Sequence, residues 1–238
     1  MMTGKQTNEM IAVLEAEGGS RPQSLTDWAR MFDSIFGAHD REHYSDSELR
    51  ERLLEEVIFC FESLRKERLG EIERHLPVIV SWYFGLTNRM KIDVAAAAWH
   101  KYPGICPDCR AVKSCNCISH DAAYDEKLRD LTQYRRDTRL IPSSLEAWQE
   151  MHKRIYGPIN KLSSFASVFY HLAEEAAEFS TECRLGNREN MEAEAADVFL
   201  WVLAVTNKFE VSLADLAWKR YPYECDTCHA QKCACPKQ

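Results

Sequence analysis

The sequence contains no block of Lys or Arg residues, no apolar run of membrane-spanning length and no succession of alternating strands. Its net charge is −7, so the basic surface that binds a nucleic-acid backbone is absent. An acidic protein that binds polyphosphates needs a cation between its own negative charges and those of the phosphates. The first 23 residues lack the charged-then-apolar pattern of a signal peptide. These absences predict a cytoplasmic protein that binds neither nucleic acid nor membranes.

The composition is otherwise that of a globular protein. Apolar residues make up 45% and charged residues 28% of the 238 positions, enough for one large domain or two small ones. Ten cysteines are present. In a reducing compartment they are expected to be metal ligands or free thiols rather than disulfides.

The chain is an internal repeat with an offset of about 119 residues. The segment SLTDWARMFDSIFG at Ser24 returns as SLEAWQEMHKRIYG at Ser144, and AAWHKYPGICPDC at Ala97 is answered by LAWKRYPYECDTC at Leu216. So many matches in one register predict two copies of one structural unit. The predicted parts are an N-terminal extension (1–23), a first copy (24–117), a helical connector (118–143) and a second copy (144–238).

Each copy predicts four helices. Ser24 and Ser144 are expected N-caps of the first helix, and a short fourth helix ends before Pro103 and Pro222. The apolar residues of the two long helices have helical spacing at 53–64, 76–90, 165–179 and 195–209. We therefore expect an all-α protein of two four-helix units in tandem, packed together because each alone would have a thin core.

Carboxylates lie on one side of both long helices in the second copy. Glu175 and Glu178 are turned roughly 80° and 140° from the apolar stripe of their helix, and Glu194 and Asp197 have the same offsets on the next. Because antiparallel neighbours bring these sides together, the four carboxylates converge and raise each other's pKa. A hard divalent cation relieves the repulsion, and Mg²⁺ is expected where the substrate carries phosphates.

The motif Glu174-Glu175-x-x-Glu178, followed by Glu194-x-x-Asp197, resembles the signature of the all-α nucleoside triphosphate pyrophosphohydrolases. This group contains MazG and the dimeric dUTP and dCTP pyrophosphatases. The resemblance covers most of the second copy and, more loosely, the first. It implies hydrolysis of a nucleoside triphosphate to the monophosphate and pyrophosphate in a four-helix metal site. By analogy, the four convergent carboxylates hold Mg²⁺ and Glu174 supports or orients the attacking water.

Polar side chains beyond the acidic motif are candidates for substrate binding, because the outgoing pyrophosphate needs positive charge. The candidates are Lys208, Lys219, Arg220 and Asn207. Asn88 matches Asn207 in the first copy, so a structural role for Asn207 is equally open. Five tryptophans are candidates either for the core or for stacking on a base: Trp28, Trp99, Trp148, Trp201 and Trp218.

The first copy has lost most of the acidic motif. It has Phe59, His75 and Val78 where the second copy has three of its acids, and only Glu55 and Glu56 are kept. Two carboxylates are too few for Mg²⁺, and the two apolar replacements are expected to be buried or to form an apolar wall for the base. The resemblance implies a site where two units pair, hence an intrachain pseudo-dimer with one active site. Further assembly into a homo-oligomer is left open.

Each copy ends in a cysteine-rich tail. The tails contain Cys106, Cys109, Cys115 and Cys117 in the first copy, and Cys225, Cys228, Cys233 and Cys235 in the second. Four thiols at this spacing predict one tetrahedral Zn²⁺ per tail, two per chain, with an iron–sulfur cluster as a less favoured alternative. The string ending in His229 also matches a c-type haem attachment motif, but the first copy has Arg110 in place of that histidine.

Two functions are therefore compatible with the sequence. The favoured one is a Mg²⁺-dependent nucleotide pyrophosphohydrolase, because the second copy keeps every acid of the motif. The alternative is a zinc-stapled helical interaction or regulatory module in which the acidic cluster is a relic.

Overall fold

The computed structural model of the chain describes residues 20–117 and 131–237, and these contain helices and no strand. The all-α prediction is thus confirmed, whereas most of the predicted extension and part of the connector lie outside the described residues. The helices are α1 (Leu25–Phe32), α2 (Ala38–His43), α3 (Asp46–Arg65), α4 (Leu69–Arg89), α5 (Val94–Lys101), α6 (Thr132–Arg135), α7 (Leu145–Leu162), α8 (Phe165–Leu185), α9 (Arg188–Lys208) and α10 (Leu213–Arg220). None of these helices is both long and apolar enough to span a bilayer.

The helices begin at the capping residues expected from the sequence. The Ser24 side chain accepts a hydrogen bond from the Asp27 amide, and Ser144 accepts one from the Ala147 amide. Each satisfies an amide that has no partner within its helix. A π-helical turn at Asp33–Gly37 joins α1 to α2. The order of α1 to α5 is matched by α7 to α10, with α1 and α2 together corresponding to α7.

The long helices α8 and α9 form the centre of the second copy. Gly186, with φ +74°, ends α8 in the left-handed conformation, and Asn187 caps α9 directly afterwards. Phe169, Leu172 and Phe179 of α8 are buried, as expected from their spacing. This tight connection sets the acidic sides of the two helices next to each other.

The two copies pack through all of their long helices. Helix α3 contacts α8, and the buried Tyr83 of α4 donates a hydrogen bond to the Ala195 carbonyl of α9 (2.8 Å). The fourth helices cross between copies, because α5 packs on α9 and α10 packs on α4. Each copy therefore places its own fourth helix against the long helices of the other.

The first cysteine tail also crosses to the other copy. The Ser114 amide donates to the Arg154 carbonyl (2.9 Å) and the Cys115 amide donates to the Ile155 carbonyl (2.7 Å), both in α7. Pro158 has no N–H, so the Arg154 carbonyl has no helical donor four residues on. The tail supplies the missing donor.

The second tail docks reciprocally on the first copy. The Cys233 amide donates to the Ile35 carbonyl (2.7 Å), which lies in the π-helical turn where the regular ladder is broken. The buried His39 Nε2 lies 2.9 Å from the Cys235 carbonyl oxygen. Both tails therefore attach through main-chain bonds to the first helical segment of the opposite copy.

Candidate metal centre

Three carboxylates meet where α8 and α9 face each other. One oxygen each from Glu175, Glu194 and Asp197 lies within 4.8 Å of the others. Asp197 is buried, and the two glutamates are half-buried. Oxygen ligands about 2.1 Å from Mg²⁺ lie at most about 4.2 Å apart, so small side-chain movements bring this donor set to the required geometry.

The other two acids of the motif are exposed and lie outside this group. Glu178 is one turn beyond Glu175, and its charge contributes to the raised pKa of both clustered glutamates. Glu174 Oε2 lies 3.3 Å from His171 Nδ1, and the His171 ring stacks on Trp201 with centroids 4.5 Å apart. Their roles as metal ligand and water-orienting group stay predictions.

The buried Asp197 is contacted by two residues of the first copy. Lys101, the last residue of α5, forms an ion pair with Asp197 Oδ2, and the next residue, Tyr102, donates its hydroxyl to Oδ1. Sequence reasoning missed both residues. The signal was the repeat itself, because Lys101-Tyr102 aligns with Arg220-Tyr221, but alignment does not say that the fourth helices cross.

The cluster has too little positive charge for its acids. Burial, followed by the charges of Asp197 and Glu194, raises the pKa of Glu175 to about 8. Burial also raises the pKa of Glu194, although the Lys101 ammonium opposes the shift and Glu175 donates a hydrogen bond to it. At neutral pH Glu175 therefore holds a proton in the metal-free protein, and a divalent cation would take that proton's place.

This electrostatic arrangement predicts a stability effect of Glu175→Gln. The pKa of Glu175 rises from its ordinary 4.5 to about 8 on folding, so ionisation costs more in the folded than in the unfolded state. The group's contribution to the free energy of unfolding falls as pH rises from about 4.5 to about 8 and levels off above. In metal-free protein we expect the Tm of Glu175→Gln to exceed that of wild type, by a margin that grows between pH 5 and pH 8. The same margin at both pH values would contradict the assignment, and Glu150→Gln, at an exposed position of α7, is the matched control.

The predicted substrate-binding residues lie in different surroundings. Lys208 Nζ donates to the carbonyls of Asn160, Lys161 and Ser163 (2.8, 3.2 and 2.6 Å) at the end of α7. Asn207 Nδ2 donates to the Gln149 carbonyl of α7 (3.2 Å). Both side chains thus hold α7 against α9, and their part in substrate binding stays a prediction.

The other two basic candidates lie on α10. Lys219 is exposed. Arg220 forms an ion pair with Asp226 (2.7 Å) and donates to the Arg74 carbonyl of α4 (2.8 Å). Arg220 therefore lies in the first copy's equivalent of the acidic cluster, and Lys101 is the basic residue that contacts the cluster itself.

In the first copy, the equivalent place has a glutamate–histidine contact instead of three clustered acids. Glu56 Oε1 lies 2.6 Å from His75 Nδ1. Beside them is a cavity of about 440 Å³ whose lining includes Phe59, Val78 and Trp82. Phe59 is 50% exposed, so burial in the core was a wrong expectation for it, and the apolar-wall alternative agrees with its position. Within the described ranges, no group of three metal-ligating side chains lies here.

Four of the five candidate tryptophans belong to the core. Trp28, Trp99, Trp148 and Trp218 are buried, whereas Trp201 is half-buried and stacks on His171 next to Glu174. Trp201 is accordingly the one of the five placed to meet a ligand at the acidic side of α9.

Both cysteine tails bring four thiols together. Within each tail, the four Sγ atoms lie within 4.8 Å of one another, and all ten cysteines of the chain are free thiols. The separations are 3.6 Å for Cys109–Cys115, 3.5 Å for Cys106–Cys115 and 3.8 Å for Cys225–Cys235. Thiolates 2.3 Å from a tetrahedral Zn²⁺ are about 3.8 Å apart, so the sulfur atoms fit such an ion.

Residues 163–218 match the model of the MazG nucleotide pyrophosphohydrolase domain. This segment contains α8, α9 and the three clustered carboxylates, which confirms the resemblance read from the acidic motif. It excludes both cysteine tails and the first copy, including Lys101 and Tyr102. A search of curated proteins and a search of solved structures each gave no match to the chain.

Proposed function

We propose that the protein is a Mg²⁺-dependent nucleoside triphosphate pyrophosphohydrolase with its active site in the second copy. The observation that carries the proposal is the meeting of Glu175, Glu194 and Asp197 within the segment that matches the MazG domain. In the proposed reaction, water attacks the α-phosphorus of the nucleotide, and the products are a nucleoside monophosphate and pyrophosphate.

Oxygen donors at this spacing suit a hard cation, and Glu175, Glu194 and Asp197 are the residues that would hold it, with Glu178 close by. When bound, Mg²⁺ lowers the pKa of water and screens the triphosphate charge. The carboxylates of α8 and α9 are fixed by two packed helices, so their positions are set before substrate arrives. Glu174, exposed at the edge of the cluster, orients the attacking water.

Residues of the first copy complete the site. Lys101 is the cation nearest the clustered acids, and its side chain is one-third exposed, so its ammonium is able to turn toward an incoming phosphate. Tyr102 keeps a proton, because burial raises its pKa, and donates it in a hydrogen bond to Asp197. Its hydroxyl thereby fixes the orientation of that carboxylate.

The crossing of α5 and α10 supports an intrachain pseudo-dimer. In this arrangement the first copy binds and covers substrate, and the second copy holds the metal. The Glu56–His75 pair takes the place of a metal set in the first copy, which is why we assign one active site per chain. The first-copy cavity with Phe59 and Trp82 is separate from the acidic cluster, because none of the three clustered carboxylates lines it.

Each cysteine tail is proposed to hold one structural Zn²⁺. The sulfur separations support this assignment, and the four ligands of each tail leave no open position for chemistry. The zinc sites lie outside the family-matching segment, and their complete ligand sets give them no direct part in the hydrolytic step.

The function is tested by incubating the protein with a panel of ribo- and deoxyribonucleoside triphosphates in the presence of Mg²⁺. We expect pyrophosphate and the matching monophosphate from at least one nucleotide, and neither product when Mg²⁺ is omitted. Release of orthophosphate instead would indicate attack at the γ-phosphorus. If the folded protein releases no pyrophosphate from any nucleotide, the proposal fails in favour of the interaction module.

A further inference from the structure

Helix α5 runs directly into the first cysteine tail. Tyr102 follows the last residue of α5, and the first tail thiol is Cys106. The three residues between them are tightly held. Pro103 and Ile105 are buried, and Gly104 has φ +74° and donates its amide to the Tyr102 carbonyl (2.8 Å). A displacement of the tail is therefore passed on to Tyr102 and Lys101.

The far end of the same tail is attached to the second copy. The amides of Ser114 and Cys115 donate to carbonyls of α7. Helix α7 packs on α9, which carries Asp197. The contacts thus form a closed ring from Asp197 through α9 and α7 to the tail, and back through Tyr102 and Lys101 to Asp197.

Resting on the proposed function, we infer that Zn²⁺ in the first tail positions Lys101 and Tyr102 against Asp197. The first tail is then a positioning element of the active site, and the second tail is not. Two main-chain bonds and the bond from Arg154 Nε to the Val112 carbonyl (3.2 Å) attach the tail to α7. The folded shape of the tail between these bonds and Tyr102 therefore contributes to where the end of α5 lies. Binding of one metal ion by four cysteines stabilises that shape, because the four ligands come together only when the segment is folded.

The second tail provides the internal comparison. It follows α10, and Tyr221, the residue after the end of that helix, packs edge-on against Phe32 and Phe36 of the first copy (5.6 and 5.5 Å between centroids). The place that α10 reaches has Val78 where the second copy has Asp197. The same construction therefore ends where Val78 replaces the aspartate and Glu56 contacts His75, so loss of the second zinc has no three-acid cluster to disturb.

The experiment compares Cys109→Ser with Cys228→Ser. Both thiols are exposed, and each change removes one ligand from one tail without altering the core. A zinc-selective chelator is added in excess Mg²⁺ until one zinc per chain has left, measured by metal analysis, and Tm and kcat/KM are then determined. We expect similar falls in Tm for the two variants. In Cys109→Ser, kcat/KM should fall by about tenfold or more, since small misplacements of active-site groups have effects of this size, and in Cys228→Ser by less than about threefold.

A second readout does not depend on hydrolysis. The Lys101 ammonium competes with a bound cation for Asp197. Movement of Lys101 away from Asp197 should therefore tighten Mn²⁺ binding at the cluster, and Lys101→Met should have the same effect. We expect zinc-depleted Cys109→Ser to bind Mn²⁺ like Lys101→Met, and zinc-depleted Cys228→Ser to bind it like wild type. This comparison holds even if no nucleotide is hydrolysed, so failure of the inference is distinguishable from failure of the proposed function.

The coupling is also tested in the Lys101→Met/Tyr102→Phe background. If the first zinc acts through these two side chains, adding Cys109→Ser there should cause little further loss of kcat/KM. Equal losses in the Cys109→Ser and Cys228→Ser variants, or wild-type Mn²⁺ binding in Cys109→Ser after its zinc has left, would overturn the inference. A full additional loss in the double-variant background would do the same.

Discussion

Glu175→Gln is expected to lower kcat by about 1000-fold or more, whereas Glu56→Gln at the matching position of the first copy should change it by less than about threefold. The reason lies in what each carboxylate contacts. Glu175 belongs to the three-acid cluster, whereas Glu56 lies 2.6 Å from His75. Glutamine keeps the volume but removes the charge that a metal ligand needs.

The measurement is pyrophosphate release at saturating Mg²⁺ on the best nucleotide of the panel. Circular dichroism of each variant confirms that the helices are intact. Asp197→Asn should behave like Glu175→Gln, because it removes the most buried acid of the cluster. If Glu56→Gln is as inactive as Glu175→Gln, the two copies are equivalent and the assignment of one active site per chain is wrong.

Metal removal is expected to have the largest effect on stability. Purified protein should contain close to two zinc ions per chain, and chelation of both should lower the Tm by at least about 10 °C. Structural zinc contributes about 10 kcal/mol or more in small domains, and about 1 kcal/mol shifts the Tm of a chain of this size by about 2–4 °C. Calorimetry with and without chelator, at constant Mg²⁺, gives the value.

Three outcomes of the metal analysis separate the alternatives. Two zinc ions with free thiols after denaturation support the tetrahedral sites. Bound iron together with absorbance in the visible range would show that the tails hold iron–sulfur clusters instead of zinc. Disulfides without bound metal would contradict both assignments.

The order of helices and the acidic cluster could be predicted because each depends on local spacing. Ser24 and Ser144 mark helix starts through their side chains. Glu175, Glu194 and Asp197 converge because their angular offsets lie on the same side of two neighbouring helices. These features need no knowledge of how the two copies meet.

The crossing of the fourth helices could not be predicted from the same patterns. Both copies present the same apolar spacing, so α5 would satisfy it by packing within its own copy or against the other. Lys101 was missed for this reason, and Arg220, a substrate-binding candidate of the second copy, contacts the Arg74 carbonyl of the first. Lys208 shows a second limit, because a lysine that holds carbonyls at a helix end looks in sequence like any solvated lysine.

The packing of α5 against the second copy also bears on how such a chain can evolve. The family-matching segment holds the carboxylates but not Lys101 or Tyr102, so under the proposed function this segment alone would lack two residues of its own site. Because the two copies are covalently joined, the second copy always folds beside the same first copy. Under the proposed function the first copy binds no catalytic metal, so we expect substitutions at Phe59 and Trp82 to be tolerated better than substitutions at Lys101 and Tyr102.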